Sequence, residues 1–224
     1  MNEEILLGLN DNSVIYSDLF GVFLHPEIIK PLELLYLDAL TNGFDLVLAS
    51  GYRSYSRQLA IWNEKARGVR PVLNSSGNRV NILSMSDDEK LWAILRWSAL
   101  PGASRHHWGT DFDLYDKSRI DENYQPQLTV AETESPGPFA EFHLWLTRKL
   151  NEKDCPFFRP YAVDRGGIAP EPWHLSYAPV AHKYYSQLSV DLFKRNIEQT
   201  EIELKDSILR NINEIFERFI KINE

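Results

Sequence analysis

The residues whose types and spacing suit catalysis lie in two short strings. Ser104-Arg-His-His-Trp-Gly-Thr-Asp-Phe-Asp113 and, further along, Glu171-Pro-Trp-His174 bring histidines, aspartates and a glutamate together in an order suited to a catalytic zinc site. A zinc hydrolase needs three protein ligands of imidazole or carboxylate type and an open fourth position for water. His106, Asp113 and His174 meet that need. Zinc lowers the pKa of the water it binds to about 7, and a nearby carboxylate must take the proton as the water attacks a carbonyl. Glu171 is the candidate base: it precedes His174 by three residues, so one short extended or turning segment carries both to the same cavity.

The first string has the period of a strand. From Gly109 to Tyr115 the chain alternates, with Phe112 and Leu114 on one face and Asp111, Asp113 and Tyr115 on the other. Two aspartates on one strand face repel each other, and a divalent cation or a basic neighbour relieves the repulsion. A lone Asp-x-Asp is more often a solvated strand edge, but the histidines upstream favour a metal. His106 and His107 are adjacent, so in an extended chain they point to opposite sides and one of them ligates while the other supports it. His25, His143 and His182 have no matching partners nearby and are assigned no metal role.

The pattern Ser-x-His-x-x-Gly-x-x-x-Asp followed by Glu-x-Trp-His, and preceded by Gly51-Tyr-Arg-Ser54, resembles the D-alanyl-D-alanine metallocarboxypeptidases, which include vancomycin-resistance D,D-peptidases and L,D-carboxypeptidases. The three blocks lie between Ser50 and Tyr177, and their order and spacing match as well as their content. The resemblance implies one zinc per chain held by His106, Asp113 and His174, with Glu171 as general base. It also implies that Arg53 stabilises the oxyanion forming on the scissile carbonyl, a role that suits a fixed guanidinium in a dry site. Ser104 and Gln58 fall where family members contact the substrate's terminal residue or its carboxylate. Alternatively, Ser104 caps a turn and Gln58 faces solvent from a helix. The chain departs from the pattern at Asp111, where a small residue is common. That acid either orients a ligand histidine, binds a cationic part of the substrate, or points away from the metal.

The remaining sequence must position these groups. Ile28, Leu32, Leu35 and Ala39 form the apolar stripe of a helix closed by Thr41-Asn-Gly43. Phe44 to Ala49 reads as a buried strand that presents Arg53 at its end, and Leu59, Trp62 and Ala66 continue at helical spacing. Pro71 and Ser75-Ser-Gly77 mark a loop bordering the cleft. Ser86-Asp-Asp-Glu89 resembles a capping box that opens a helix with Leu91, Ile94, Leu95 and Ser98, ended by Pro101-Gly102. Asp116 to Gly137 is polar and irregular, Pro138 to Asn151 is a helix that covers the sheet, and Tyr161 to Glu171 is a strand followed by a glycine-rich loop. Trp108 and Trp173 pack the cavity wall. The fold class expected is α+β: a small antiparallel sheet flanked by helices, with the zinc site at the sheet face, which is also the class the family implies. From Ser186 the stripe Leu204, Ile208, Ile212, Ile215, Phe219 and Ile222 predicts one long amphipathic helix. The expected division is a catalytic domain over 1–185 and a helical extension over 186–224. The extension is expected to dock on its own domain, with a homodimer through this helix as the alternative.

Composition narrows the partners. The chain has 224 residues and a net charge of -8, which disfavours nucleic acid and anionic membranes. No run approaches the ~18 apolar residues of a membrane span. The single cysteine forms no internal disulfide. Met1 to Gly8 lacks the features of a signal peptide, so the chain reads as cytoplasmic as written, or periplasmic if a signal was removed. The expected activity is a zinc carboxypeptidase that takes peptidoglycan-type peptides and releases D-alanine. An L,D-carboxypeptidase, a D-Ala-D-Ala dipeptidase and a non-hydrolytic zinc-containing peptide-binding module are the alternatives.

Overall fold

The computed structural model describes residues 2–75 and 77–221. In chain order a short helix α1 (Glu3–Leu6) is followed by a hairpin, β1 (Ile15–Ser17) and β2 (Val22–Leu24), and by α2 (Pro26–Thr41), β3 (Leu46–Ser50) and α3 (Tyr55–Ala66). A second hairpin, β4 (Val72–Leu73) and β5 (Arg79–Val80), precedes α4 (Asp87–Leu95) and β6 (Asp111–Asp116). Next come α5 (Val130–Thr133), α6 (Ala140–Leu150), β7 (Phe157–Phe158), β8 (His174–Tyr177) and α7 (Ala178–Tyr185). The chain closes with α8 (Val190–Gln199), α9 (Lys205–Arg210), α10 (Ile212–Ile215) and a π-turn over Phe216–Ile220.

Strands β3, β6, β8 and β7 form one antiparallel sheet in that order, so the α+β expectation holds. Phe112, Leu114 and Leu175 pack one sheet face against α2, α6 and α7 in a first apolar core, to which the expected stripe Ile28, Leu32, Leu35 and Ala39 belongs. The opposite face carries the polar residues in rows set by the register. Asp113 pairs with Ser50 on one side and with His174 on the other, while Asp111 pairs with Ser176. Ser50 reaches that row because an irregularity between Leu48 and Ser50 inserts a residue into β3, the usual way a bulge re-aims a side chain at a site.

A second core joins Trp62 and Ala66 of α3, Leu91, Ile94 and Leu95 of α4, and Phe193, Ile197, Ile208, Ile212 and Ile215 of the C-terminal helices. The C-terminal stripe is thus buried against its own chain, but the single long helix expected there is broken. Gln199 ends α8, and Leu204 takes a left-handed conformation with φ 64° before α9. The buried Trp62 indole donates to the Glu203 carbonyl at 3.0 Å, and the Glu203 amide donates to Asn63 Oδ1 at 2.9 Å. Burying an indole N–H without an acceptor is costly, and a carbonyl freed from helical pairing supplies one. Ile222 of the stripe and Ser76 of the loop lie outside the described residues.

The Ser86–Glu89 capping box is present, yet α4 stops at Leu95, so Ser98 lies beyond the helix expected to contain it. The segment expected to begin as a strand at Tyr161 is irregular, the strand lying earlier at Phe157–Phe158. Replacing Ile208, which is 0% exposed in the second core, by Ala should cost about 2–5 kcal/mol. Urea unfolding followed by tryptophan fluorescence should show that loss in one cooperative transition; two separate transitions would mean that the C-terminal helices are not part of the same folding unit.

Candidate active site

His106 comes from a 3-10 turn, Arg105–Trp108, whose end requires Gly109: its φ is +66°, and a Cβ there would meet Val14 Cγ1 at 2.4 Å and the His25 amide nitrogen at 2.8 Å. The turn aims both histidines inward, each to a different task. His106 Nδ1 lies 2.9 Å from the Gly51 carbonyl, and its Nε2 faces Asp113 Oδ2 at 3.5 Å. His107 bonds the Arg53 carbonyl through Nδ1 at 2.6 Å and accepts from the Gly102 amide through Nε2 at 3.1 Å. It therefore supports the loop, as expected for one of the pair. Burial lowers both pKa values, to about 4 for His106 and about 3 for His107, and both rings are neutral at physiological pH.

His174, in β8, lies between two carboxylates. Its Nε2 meets Asp111 Oδ1 at 3.0 Å, and its Nδ1 faces Asp113 Oδ1 at 3.3 Å and Glu171 Oε2 at 3.5 Å. Burial alone would depress its pKa, but the negative charges of Asp111, Asp113 and Glu171 around it hold it well above the ordinary value. With Nε2–H given to Asp111, Nδ1 is the nitrogen that faces Asp113 and Glu171, and loss of its proton would offer its lone pair to a cation. Asp113 accepts the Ser50 hydroxyl on Oδ2 at 2.5 Å, while its buried Oδ1 has no hydrogen-bond partner.

These three residues could hold a metal ion: one donor atom from each lies within 4.8 Å of the others. A tetrahedral zinc with bonds of about 2.0–2.1 Å has ligand atoms about 3.4 Å apart, and the Asp113 carboxylate approaches each imidazole on that scale, Oδ2 lying 3.5 Å from His106 Nε2 and Oδ1 3.3 Å from His174 Nδ1. His174 Nδ1 faces the orphaned Asp113 Oδ1 and His106 Nε2 faces Oδ2 of the same carboxylate, and two imidazoles with one carboxylate make a donor set that fits zinc.

Asp111 is not aimed at this centre. It is fully buried and accepts from Arg105 Nε at 2.8 Å, Thr110 Oγ1 at 2.8 Å and Ser176 Oγ at 3.0 Å besides meeting His174. Burial opposes its charge, yet the Arg105 guanidinium and His174 hold its pKa well below the ordinary range. Arg105 lies over the rings of Trp108, Phe158 and Tyr185. Of the three roles open to Asp111 in the sequence, the geometry selects the one that orients His174.

A cavity of about 280 Å³ opens over the centre, lined among others by Arg53, Ser104, Glu171 and Trp173. Arg53 is fixed at its backbone by His106 and His107 and at its guanidinium by a 3.0 Å bond to Gln58 Oε1. Gln58 does not face solvent: it is 0% exposed, and its Nε2 donates to the Ala99 carbonyl at 2.7 Å. Its polar atoms thus serve Arg53 and the Ala99 segment. Ser104 begins the 3-10 turn without a side-chain capping bond and lines the cavity. Trp173 forms cavity wall as expected, whereas Trp108 is core, stacked on Tyr184 at 5.7 Å. Leu73 of the β4–β5 hairpin borders the cavity, so the Pro71–Gly77 loop does flank the cleft.

Three contributors were not singled out in the sequence. Ser50 needed the bulge to be foreseen. Arg105 stands between two named motif residues and could have been matched to the surplus acid at Asp111. Lys65, which also lines the cavity, is a charged residue seven positions after Gln58 on a helix face that includes the buried Trp62.

Comparison with known proteins fits this geometry. The VanY family, described as D-alanyl-D-alanine carboxypeptidase, matches residues 21–180. An uncharacterized protein of Haemophilus influenzae is 31% identical over 123 residues, covering 54% of this chain and 92% of its own length. The structure of VanYB in complex with D-alanine-D-alanine is similar in fold, with TM-score 0.52 and 23% identity over 85% of this chain and 91% of that one. A variant of a vancomycin-resistance D,D-pentapeptidase, VanY, in complex with Zn(II) gives TM-score 0.51 and 23% identity over 88% and 90% of the two chains.

Carboxylates that orient metal-bound histidines typically affect metal affinity by about 10–100-fold. Asp111→Asn should weaken zinc binding by that factor in competition with a chromophoric chelator. An unchanged affinity would show that His174 is oriented without it.

Proposed function

The chain belongs to the VanY family of D-alanyl-D-alanine carboxypeptidases, and we propose that this zinc metallopeptidase hydrolyses the last peptide bond of short cell-wall-type peptides and releases D-alanine. The observation that carries this reading is the convergence on one cavity of the His106, Asp113 and His174 donor set, a carboxylate at Glu171 and a guanidinium at Arg53. His106, Asp113 and His174 would hold zinc, which when bound would supply Lewis acidity toward the scissile carbonyl and lower the pKa of water to about 7.

The chain's own residues do the rest. Glu171 Oε2, 3.5 Å from His174 Nδ1, takes the proton of the attacking water and returns it to the leaving amine. Its backbone is fixed from both sides, its amide donating to the Tyr161 carbonyl at 2.9 Å and its carbonyl accepting from the His174 amide at 3.0 Å. Base and ligand are therefore held in one register. Arg53 donates to the oxygen on which charge develops, and the Gln58 bond together with the His107 clamp keeps its guanidinium aimed before the reaction begins. The Ser104 hydroxyl contacts the substrate's terminal residue, whereas Gln58 acts on the substrate through Arg53.

Glu171→Gln should lower kcat by at least ~100-fold with zinc still bound, and Arg53→Ala should lower it by about 100–1000-fold. Mass spectrometry of the zinc-loaded protein with muropeptides ending in D-Ala-D-Ala, tetrapeptides ending in one D-Ala, and free D-Ala-D-Ala reads both effects and the preferred substrate. Full activity of Glu171→Gln would remove that residue from proton transfer, and no cleavage of any of the three would overturn the reading.

A further inference from the structure

The cavity holds more positive charge than hydrolysis of a neutral amide requires. Asp113 and Glu171 together carry two negative charges, which a divalent cation balances. Arg53 and Lys65 remain, and neither forms an ion pair with an acid among the described residues. Arg105 also borders the cavity, but it is neutralised by Asp111. A buried cation without an acid is unfavourable, so the two surplus charges at the substrate's place point to an anionic ligand. The oxyanion that develops on the scissile carbonyl accounts for one of them and is met by Arg53. The other requires a negative charge that the substrate brings in its ground state.

Lys65 is built to meet that charge. Its Nζ donates to Ser98 Oγ at 2.6 Å, which leaves two further N–H groups for a ligand. Helix α3 holds it in place, since Gln58, Trp62 and Lys65 follow one another at helical spacing, with Gln58 and Trp62 both fully buried. Gln58 and Lys65 grip the consecutive residues Ala99 and Ser98, so one helix fixes the Arg53 guanidinium and the lysine relative to each other. Taking the proposed peptidase reaction as given, we propose that Lys65, with the Ser98 hydroxyl, anchors the free C-terminal carboxylate of the peptide substrate and so confines the enzyme to cleaving terminal residues. Arg53 is thereby left free for the transition state.

The charge environment supports this role. Burial lowers the Lys65 pKa to about 8; Arg70 and Arg53 push it the same way, and Glu171 opposes them. Arg70 is itself paired with Glu64, and the acid whose charge opposes the shift is Glu171, across the same cavity that Asp113 also lines. A bound carboxylate would restore the protonated form. Free enzyme above about pH 8 loses the anchor, and the loss affects only substrates that carry the carboxylate.

The test compares a D-alanyl-D-alanine-terminated peptide with its C-terminal amide, using zinc-loaded wild type, Lys65→Met and Lys65→Arg, with zinc content and the urea midpoint confirming intact protein. Wild type should prefer the acid in kcat/KM by about 10–100-fold, the scale of a charge-assisted bond to a desolvated ion. Lys65→Met should lose that preference through KM, read as the ratio of acid to amide kcat/KM within the same protein, and Lys65→Arg should keep most of it. The ratio of acid to amide kcat/KM should fall above about pH 8 in wild type and stay level in Lys65→Arg. An acid preference untouched by Lys65→Met overturns the assignment even if wild type is an active peptidase. Calorimetric binding of both peptides to Glu171→Gln, with and without Lys65→Met, tests the anchor independently of turnover: equal acid preference in the two proteins overturns it, and a preference lost with the lysine upholds it. If wild type cleaves neither peptide, the proposed reaction fails and the calorimetry alone decides the role of Lys65.

Discussion

His174 is held between two buried aspartates, and the rest of the site is arranged around the consequences of that placement. An imidazole has two nitrogens, and the proton on one determines the lone pair on the other. Asp111 accepts the hydrogen bond from Nε2–H at 3.0 Å, which turns Nδ1 toward Asp113 and Glu171. The cost is a carboxylate with no solvent exposure, and that charge has to be balanced by a group that does not compete for the metal. Arg105 provides the balance, its Nε on Asp111 and its guanidinium against three aromatic rings. Such a cation is weakly hydrated and tolerates burial against aromatic faces better than an ammonium would.

The sheet makes this arrangement reproducible. In an antiparallel pair, directly opposed residues point to the same side, so the register that opposes Asp113 to Ser50 and His174, and Asp111 to Ser176, assembles two polar rows across three strands. The row Ser50–Asp113–His174 carries two of the three metal donors, His106 coming from the 3-10 turn, and the pair Asp111–Ser176 lies beside the histidine that Asp111 orients. Phe112, Leu114 and Leu175, from the intervening positions, anchor the opposite face in the first core. Burial on both faces leaves the central strand no freedom to slip, because a shift of one residue would exchange its aspartates for its apolar side chains.

Much of this could be read in the sequence, and the residues explain where legibility stopped. The alternation from Gly109 to Tyr115 placed both aspartates on one face, and the Ser104–Asp113 and Glu171–His174 strings supplied the donors now found within 4.8 Å of one another. Local pattern could not divide the two remedies for paired acids, a cation for one and a basic neighbour for the other, because that depends on which carboxylate faces Arg105 across a turn. The same limit applied to Gln58: helical spacing put it on α3, but its burial depends on the segment that follows α4. The break in the C-terminal helix was beyond reach for a comparable reason. An apolar stripe at helical period reports which face is buried, and the stripe from Leu204 onward gives no sign that a tryptophan N–H on another helix requires the carbonyl just before it.

The two cores give these details a common logic. The sheet and its first core carry the metal donors, while α3, packed in the second core, carries Gln58 and Lys65 and fixes the direction of Arg53 through Gln58. The cavity lies where the two meet, so groups that act on the reacting bond and groups that act on the rest of the substrate come from different halves of the fold. Their relative position is then set by the packing of α8, α9 and α10 against α3 and α4. Among the described residues none from α8, α9 or α10 lines the cavity, but these helices pack against the helix that orients the arginine. This explains why a segment beyond the motif-bearing region contributes so many fully buried side chains: the distance between Arg53 and the zinc ligands is a tertiary quantity that no local element can fix alone.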